Sequence, residues 1–277
     1  MLRYIRLLRL GDQYFQVGAV LAGGWLVRGS GEVWWWLLAT VLLSCPTFIV
    51  NELVDRGDVD RFSWNKVHVK NEVSLTLAGL LFAILSIAGL ATAYFAGKLF
   101  WGLGMYVLAM MYSLPMVRLK ARPVVDVLSQ EAVWWAIPFL GVTWGKVDPW
   151  QLVTLTGFGG CVMWCGFFPY QMADIKADLK AGLKPTHVWL GMRKSLILGF
   201  MTGVGAWILF LVGRIDRLAW WSWAFVLLTT YIMWQYGRWM KMPSLDVQVK
   251  SMQSYVRFTK PLTQVMVACL ALIYLWR

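Results

Sequence analysis

The chain is poor in charged residues and in the side chains that most often bind zinc. Asp, Glu, Lys and Arg make up only 14% of its 277 residues, and it has two histidines and four cysteines. So small a charged fraction, beside 59% hydrophobic residues and 19 tryptophans, excludes an ordinary soluble domain. The cysteines lack the paired CxxC spacing of a structural zinc site and are expected to be packing thiols. The composition indicates an integral membrane protein.

Nine stretches are apolar enough to cross a bilayer, which takes about 20 residues. They lie near residues 13–30, 33–54, 74–96, 99–116, 124–145, 150–170, 195–213, 218–237 and 261–276. The sequence has no polar linker long enough to separate two folding units. Residues 1–277 are therefore predicted to form a single all-α domain with nine transmembrane helices.

Basic residues set the predicted orientation, because Lys and Arg concentrate in cytoplasmic loops. With nine crossings and a cytoplasmic N-terminus, 20 of the 26 Lys and Arg residues fall on the cytoplasmic side. The net charge of +12 is then explained by Lys and Arg residues that set the orientation in the membrane and attract anionic lipid headgroups. No nucleic-acid partner is predicted.

The acidic residues gather in two clusters, which follow the second and sixth predicted spans on the same side. The first is NELVDRGDVD at residues 51–60, and the second is DIKAD at residues 174–178. Carboxylates one helical turn apart repel each other, so we expect cations to offset them. Several carboxylates without His or Cys favour Mg²⁺, which completes its coordination with water and substrate phosphates. The clusters thus indicate a phosphate-bearing ligand bridged by metal.

Basic side chains accompany both clusters. Arg56, Lys66 and Lys70 follow the first cluster, and Lys176 lies within the second. A further basic segment, residues 118–122, follows the fourth predicted span. These cations are the groups expected to contact an anionic substrate.

With these motifs the chain resembles the UbiA superfamily of intramembrane prenyltransferases over essentially its whole length. That superfamily carries an NDxxDxxxD motif after the second of nine helices and a DxxxD motif after the sixth. Here the second motif, continued as LKAG, is the closer match, and Tyr112 with the basic segment resembles the family's segment after its fourth helix. In the first motif Glu52 replaces the first Asp, and Val59 stands where the last Asp is expected.

The resemblance implies nine helices around a central cavity and an active site toward the cytoplasm. It implies Mg²⁺-dependent transfer of an isoprenyl group from its diphosphate to a lipophilic acceptor: an aromatic or quinone precursor, a polyene or a lipid headgroup. The metal-holding residues would be Glu52, Asp55, Asp58, Asp174 and Asp178. Catalysis would rest on Asp55, Asp174, Asp178 and Lys120. The residues expected to bind substrate are Asn51, Arg56, Lys66, Lys70, Tyr112, Arg118 and Lys176.

Two other functions stay open on the sequence. A membrane terpene cyclase would share the fold and the ionisation step, and an ion-coupled transporter would place acids near the middle of its spans. Most acids here lie at predicted helix ends, which disfavours transport. Two further expectations concern single residues: His187 is expected to be an exposed loop histidine, and Glu131 to be a polar contact within the cavity. The acceptor, the isoprenoid length and the oligomeric state do not follow from the sequence.

Overall fold

Helices make up all the regular structure in the part of the chain that the computed structural model describes, residues 7–27, 31–55, 74–215 and 222–276. They are α1 (Tyr14–Leu26), α2 (Glu32–Asp55), α3 (Leu75–Phe95), α4 (Leu99–Ser113), α5 (Val125–Glu131), α6 (Ile137–Thr143), α7 (Pro149–Ala173), α8 (Ile175–Lys180), α9 (Thr186–Val212), α10 (Ser222–Met240) and α11 (Leu245–Trp276). A π-helical turn, Ala132–Ala136, joins α5 to α6.

Each predicted apolar stretch coincides with a helix, but α11 begins at Leu245, well before the stretch that predicted it. Helix α9 begins at Thr186, but its first turn ends in a break at Gly191, whose φ of 73° and ψ of 168° are not helical, so its continuous part starts close to the predicted stretch. The first half of α11 is amphipathic, so a search for apolar runs does not find it. Within the described ranges, four helices are long and apolar enough to cross a membrane: Glu32–Val54, Leu75–Phe95, Pro149–Ala173 and Thr186–Val212. The nine crossings, the cytoplasmic N-terminus and the single domain stay predictions.

The helices pack in two groups joined by α1 and by the α5–α6 unit. Helix α2 packs against α3 and α4, whereas α7 packs against α9, α10 and α11. Large aromatic side chains fill the second group, among them Trp164, Tyr236 and Trp239. Buried polar atoms of these side chains form hydrogen bonds, because a buried donor without a partner is unfavourable. The Tyr236 hydroxyl, for example, donates to the Cys165 carbonyl at 2.8 Å.

The π turn is built against two glycines of α7. The Trp135 indole lies where a methyl group on Gly159 would overlap it, and its Nε1 donates to the Thr156 carbonyl at 3.0 Å. The Glu131 carboxylate lies over Gly160 and accepts a hydrogen bond from Trp164 Nε1 at 3.2 Å. Glu131 therefore contacts α7 and does not line the main cavity described below, contrary to the prediction.

A cluster of charges ties the segment before α1 to α2 and α11. The Arg9 guanidinium contacts Asp12 Oδ2 at 2.6 Å and Glu52 Oε1 at 3.4 Å, and the Lys260 ammonium contacts the other oxygen of Asp12. Burial acts to raise the pKa of Asp12, but the positive charges of Arg9 and Lys260 outweigh it and hold that pKa below its ordinary value. Asp12 therefore remains a carboxylate at neutral pH, and the three segments stay joined.

Candidate active site

A cavity of about 290 Å³ lies where the ends of several helices meet. Its wall comes from α1, α2, α4, α5, α7, α8, the start of α9 and the segment after α4. The polar and aromatic residues that line it include Arg9, Gln16, Phe48, Asn51, Tyr112, Ser113, Lys120, Gln130, Trp134, Phe167, Tyr170, Gln171, Asp174, Asp178 and His187. Of the residues predicted for the site, the structure thus brings Asn51, Tyr112, Lys120, Asp174 and Asp178 together.

On one wall, Asn51 is held between α4 and the basic segment. Asn51 Oδ1 accepts hydrogen bonds from Ser113 Oγ at 3.1 Å and from Lys120 Nζ at 3.2 Å. Lys120 lies in a 3₁₀ turn, Leu119–Ala121, and this turn follows Arg118, whose φ of 42° is left-handed. The sharp turn carries Lys120 back over the end of α2, which places an ammonium group beside the first acidic motif.

On another wall, Asp174 and Asp178 line the cavity one helical turn apart, at the junction of α7 and α8. Asp178 Oδ2 lies 2.9 Å from His187 Nε2. His187 is only 2% exposed, because α9 begins at Thr186 and its first turn packs against the cavity. The expectation of an exposed loop histidine was therefore wrong.

A buried network joins these two walls. Asp126 accepts hydrogen bonds from the Thr186 backbone N–H at 3.0 Å and from the Thr186 hydroxyl. The Thr186 Oγ1 in turn accepts from the Val124 backbone N–H at 2.7 Å. Val124 has a φ of 68°, a left-handed conformation that costs about 1–3 kcal/mol and persists only where neighbours hold it. The network therefore fixes the segment that carries Lys120 relative to the start of α9, which carries His187.

Three other predicted residues do not line the cavity. Glu52 is buried and contacts Arg9 instead. Lys176, two residues after Asp174, projects from the other face of α8 and pairs with the exposed carboxylate of Asp246. The hydrogen bond from Lys176 and its positive charge lower the pKa of Asp246. Arg118 belongs to the turn described above but lies outside the lining.

Several predictions fall on residues outside the described ranges. These are Arg56, Asp58, Lys66 and Lys70, together with the side chain of Asp55. Their roles stay predictions.

The cavity also contains residues that the sequence analysis did not select. Arg9 lies 5.1 Å from the centre of the Phe48 ring. Gln130 donates from Nε2 to the Tyr112 hydroxyl and accepts from Gln171 Nε2 at 3.5 Å. Only His187 carried a signal in the sequence, its closeness to the second acidic cluster.

Four aromatic rings follow one another along the wall. The ring centres of Phe48 and Trp134 are 5.6 Å apart, those of Trp134 and Phe167 6.5 Å, and those of Phe167 and Tyr170 6.1 Å. Aromatic faces attract cations, so this row suits a positively charged species in the cavity.

The donor set fits a magnesium ion that is shared with a phosphate-bearing ligand. Within the described ranges, no group of three or more His, Cys, Asp or Glu side chains is arranged to hold a metal by itself. The carboxylate residues Asp174 and Asp178 nevertheless line one cavity. Protein Mg²⁺ sites commonly use one or two carboxylates and complete the octahedron with water and phosphate oxygens.

Fold and site together define an all-helical membrane protein whose cavity suits a metal-bound anionic group and an apolar tail. Comparison with known proteins gives the family: residues 15–259 match the UbiA prenyltransferase family, and the chain belongs to it. The resemblance seen in the motifs is thereby confirmed.

Two similar curated proteins are 4-hydroxybenzoate octaprenyltransferases. The protein from Enterobacter sp. (strain 638) is 25% identical over 205 residues, which are 72% of this chain and 64% of that protein. The protein from Aeromonas salmonicida (strain A449) is 26% identical over 209 residues, 72% of this chain and 71% of that protein. The match thus spans less than two thirds of the Enterobacter protein.

The fold is that of solved UbiA homologues. A homologue from Archaeoglobus fulgidus bound to GPP and Mg²⁺ superposes with a TM-score of 0.74 and 21% identity, covering 97% of this chain and 99% of that one. A UbiA homologue from Aeropyrum pernix K1 gives a TM-score of 0.64 and 17% identity, covering 96% and 98%.

Proposed function

We propose that this protein transfers an isoprenyl group from a prenyl diphosphate to a lipophilic acceptor, with Mg²⁺ as cofactor. The observation that carries the proposal is that Asn51, Lys120, Asp174 and Asp178 line one cavity although they lie far apart in the sequence. Membership of the UbiA family supports it, as does the A. fulgidus homologue with GPP and Mg²⁺. The family also favours this chemistry over the transporter alternative.

Three charged residues of the cavity would assist departure of the diphosphate. Asp174 and Asp178 would hold Mg²⁺, which when bound stabilises the negative charge that develops on the leaving group. Lys120, held in place through Asn51, adds a second positive charge on the opposite wall. A preorganised charge of this kind lowers the barrier because it needs no rearrangement during reaction.

The aromatic wall stabilises the allylic cation, which forms together with the diphosphate when the substrate ionises. The bond between C1 of the prenyl group and the diphosphate oxygen breaks, and the electron pair leaves with the diphosphate. The allylic cation that remains faces Phe48, Trp134 and Phe167, whose π faces stabilise it and whose bulk excludes water. A new bond then forms between C1 and a nucleophilic atom of the acceptor, which loses a proton.

Release of pyrophosphate by purified protein in lipid nanodiscs tests the proposal, with geranyl diphosphate, Mg²⁺ and a set of acceptors. Asp174→Asn and Asp178→Asn should each lower the rate by about 10²–10³-fold, the usual loss when a group that stabilises transition-state charge is removed. Both variants should keep the wild-type unfolding temperature, because the change is nearly isosteric.

Asp246→Asn is the matched control, since it makes the same substitution at an exposed carboxylate outside the cavity. It should leave the rate unchanged. Wild-type rates in the Asp174 and Asp178 variants would contradict the proposal that these two carboxylates hold Mg²⁺. A ring-closed hydrocarbon formed without acceptor would instead identify a terpene cyclase.

A further inference from the structure

We infer that Asp126 is a positioning residue that couples metal binding to diphosphate binding. Through Thr186, it fixes the wall of the cavity that carries Asp178 relative to the wall that carries Lys120. The inference rests on the proposed function, and it assigns a role to a carboxylate that lies outside the cavity lining.

Asp126 is a fully buried carboxylate that the transfer step does not use. It is 0% exposed and, unlike Ser129 and Gln130 on the same helix, does not line the cavity. Moving a carboxylate out of water is unfavourable unless hydrogen bonds replace the lost hydration. Both oxygens of Asp126 accept such bonds from one residue of another helix, Oδ2 from the Thr186 backbone N–H at 3.0 Å and Oδ1 from the Thr186 hydroxyl. The carboxylate therefore joins the start of α5 to the start of α9.

The wall that carries Lys120 is held by contacts of its own. Lys120 donates to Asn51, which also accepts from Ser113. The 3₁₀ turn of Lys120 continues into Arg122, whose carbonyl accepts a hydrogen bond from the Asp126 backbone N–H at 3.0 Å. Lys120 and the start of α5 thus belong to one structural unit.

The wall that carries Asp178 forms a second unit. The Asp178 carbonyl accepts a hydrogen bond from the Leu183 N–H at 3.0 Å, which closes the loop after α8. His187 Nε2, on the first turn of α9, lies 2.9 Å from Asp178 Oδ2. These contacts hold α8, the loop and the first turn of α9 together, and none of them involves Asp126.

The contact between the two units runs through the Thr186 side chain. The Thr186 hydroxyl oxygen accepts from the Val124 N–H at 2.7 Å while the hydroxyl donates to Asp126. Val124 has a φ of 68°, which a β-branched residue rarely adopts and which persists only where neighbours hold it. Loss of the hydroxyl, or of one Asp126 oxygen, would therefore weaken the hold of α9 on the segment between Lys120 and α5.

The separation of the walls matters because a metal-bound diphosphate would contact both. The acidic pair would hold Mg²⁺ against phosphate oxygens from one side, and Lys120 would contact the same group from the other. With the walls at a matching distance, the metal strengthens binding of the diphosphate, and by linkage the diphosphate strengthens binding of the metal. We expect this coupling, rather than either wall alone, to depend on Asp126.

The test measures the Kd of geranyl S-thiolodiphosphate, which resists ionisation, by calorimetry with the full chain in nanodiscs, in Mg²⁺ and in excess EDTA. Asp126→Asn leaves one acceptor atom where there were two, and Thr186→Val removes the hydroxyl. Both variants should raise the Kd in Mg²⁺ by about fivefold or more, toward the value in EDTA, because the coupling is lost. The Kd in EDTA, and the affinity for Mn²⁺ without the analogue, should stay at the wild-type values, since each wall keeps its own contacts.

Two further threonine variants are the controls. Thr186→Ser keeps the hydroxyl and should restore the wild-type Kd in Mg²⁺. Thr229→Val removes a similarly buried hydroxyl that is bonded within its own helix, to the Phe225 carbonyl at 2.7 Å, and it should change neither Kd. The double variant Asp126→Asn/Thr186→Val should bind no more weakly than the weaker single variant, because both substitutions break the same contact.

Wild-type Kd values in Mg²⁺ for Asp126→Asn and Thr186→Val would overturn the inference. An equal rise of the Kd in Mg²⁺ and in EDTA, or a loss of Mn²⁺ affinity, would also overturn it, because the damage would then lie within one wall. A wild-type protein whose Kd does not change on chelation would instead contradict the Mg²⁺-dependent site of the proposed function.

Discussion

At the scale of single residues, the partners of a side chain decide whether it is available to a ligand. Glu52 and Asp178 both belong to the predicted metal site, yet Glu52 contacts Arg9 whereas Asp178 lines the cavity. His187 Nε2 lies 2.9 Å from one oxygen of Asp178. We therefore expect His187 to position a carboxylate that would hold metal.

Replacing His187 tests this role through metal affinity. His187→Leu should weaken binding of Mn²⁺, used in place of Mg²⁺ and followed by electron paramagnetic resonance, by about tenfold or more, the usual effect of losing a residue that orients a ligand. His187→Gln should restore part of the affinity, because its amide nitrogen can reach the position of Nε2.

Thr202→Ala is the control for this experiment, since Thr202 lies on the same helix with its hydroxyl bonded to the Gly199 carbonyl and does not line the cavity. Wild-type Mn²⁺ affinity in His187→Leu would show that the contact between His187 and Asp178 does not orient the Asp178 carboxylate.

Some of the residues predicted from the motifs line the cavity and others do not, and the difference has a physical reason. Asp174 and Asp178 were predictable because an i, i+4 pair must share a helix face. Lys176 is off that face, and only its pairing with Asp246, far along the chain, shows where it lies. His187 could not be placed without knowing that its helix begins at Thr186.

At the scale of elements, the π turn between α5 and α6 shapes the cavity wall. It places the Val133 carbonyl toward Gln16 and the Trp134 ring toward Phe48. The turn fits against α7 because Gly159 leaves room for the Trp135 indole. The apolar run predicted a helix over 124–145, but it gave no sign of the π-helical turn at Ala132–Ala136, because this turn depends on contacts with α1 and α7.

Filling the space at Gly159 should therefore disturb this unit. Gly159→Ala is expected to destabilise the protein by about 1–3 kcal/mol, the range for forcing a methyl group into a packed site, because the Trp135 indole must move. Thermal unfolding in detergent measures this as a lower Tm.

Gly104→Ala in α4 gives the comparison, since a methyl there meets no atom within 4 Å. Its Tm should equal or exceed that of the wild type. Equal Tm values for both variants would show that Trp135 is not tightly packed against α7.

At the scale of the whole molecule, the charged residues of the cavity lie at one end of the bundle, and the opposite end carries exposed aromatic side chains together with the Glu32–Lys146 ion pair. The acidic and basic residues of the cavity lie at the ends of α2, α4 and α7, which meet at one side. Near the opposite ends of these helices, large aromatic side chains are exposed, among them Trp35, Phe100 and Trp150. Exposed tryptophans of this kind are typical of the membrane interface. The pairing of helices that closes the cavity could not be predicted from composition, because it depends on contacts distant in sequence, such as Asp12 with Lys260.

The central claim is that the acidic and basic segments form one metal-dependent diphosphate site. Its most direct test is calorimetric titration of the protein with geranyl S-thiolodiphosphate, an analogue that resists ionisation, in Mg²⁺ and again in excess EDTA. We expect binding in Mg²⁺ and a Kd about tenfold or more higher after chelation, and likewise in Asp174→Asn and Asp178→Asn, as for loss of charge-assisted contacts to phosphate. Binding that is equally tight without metal and in both variants would contradict the account.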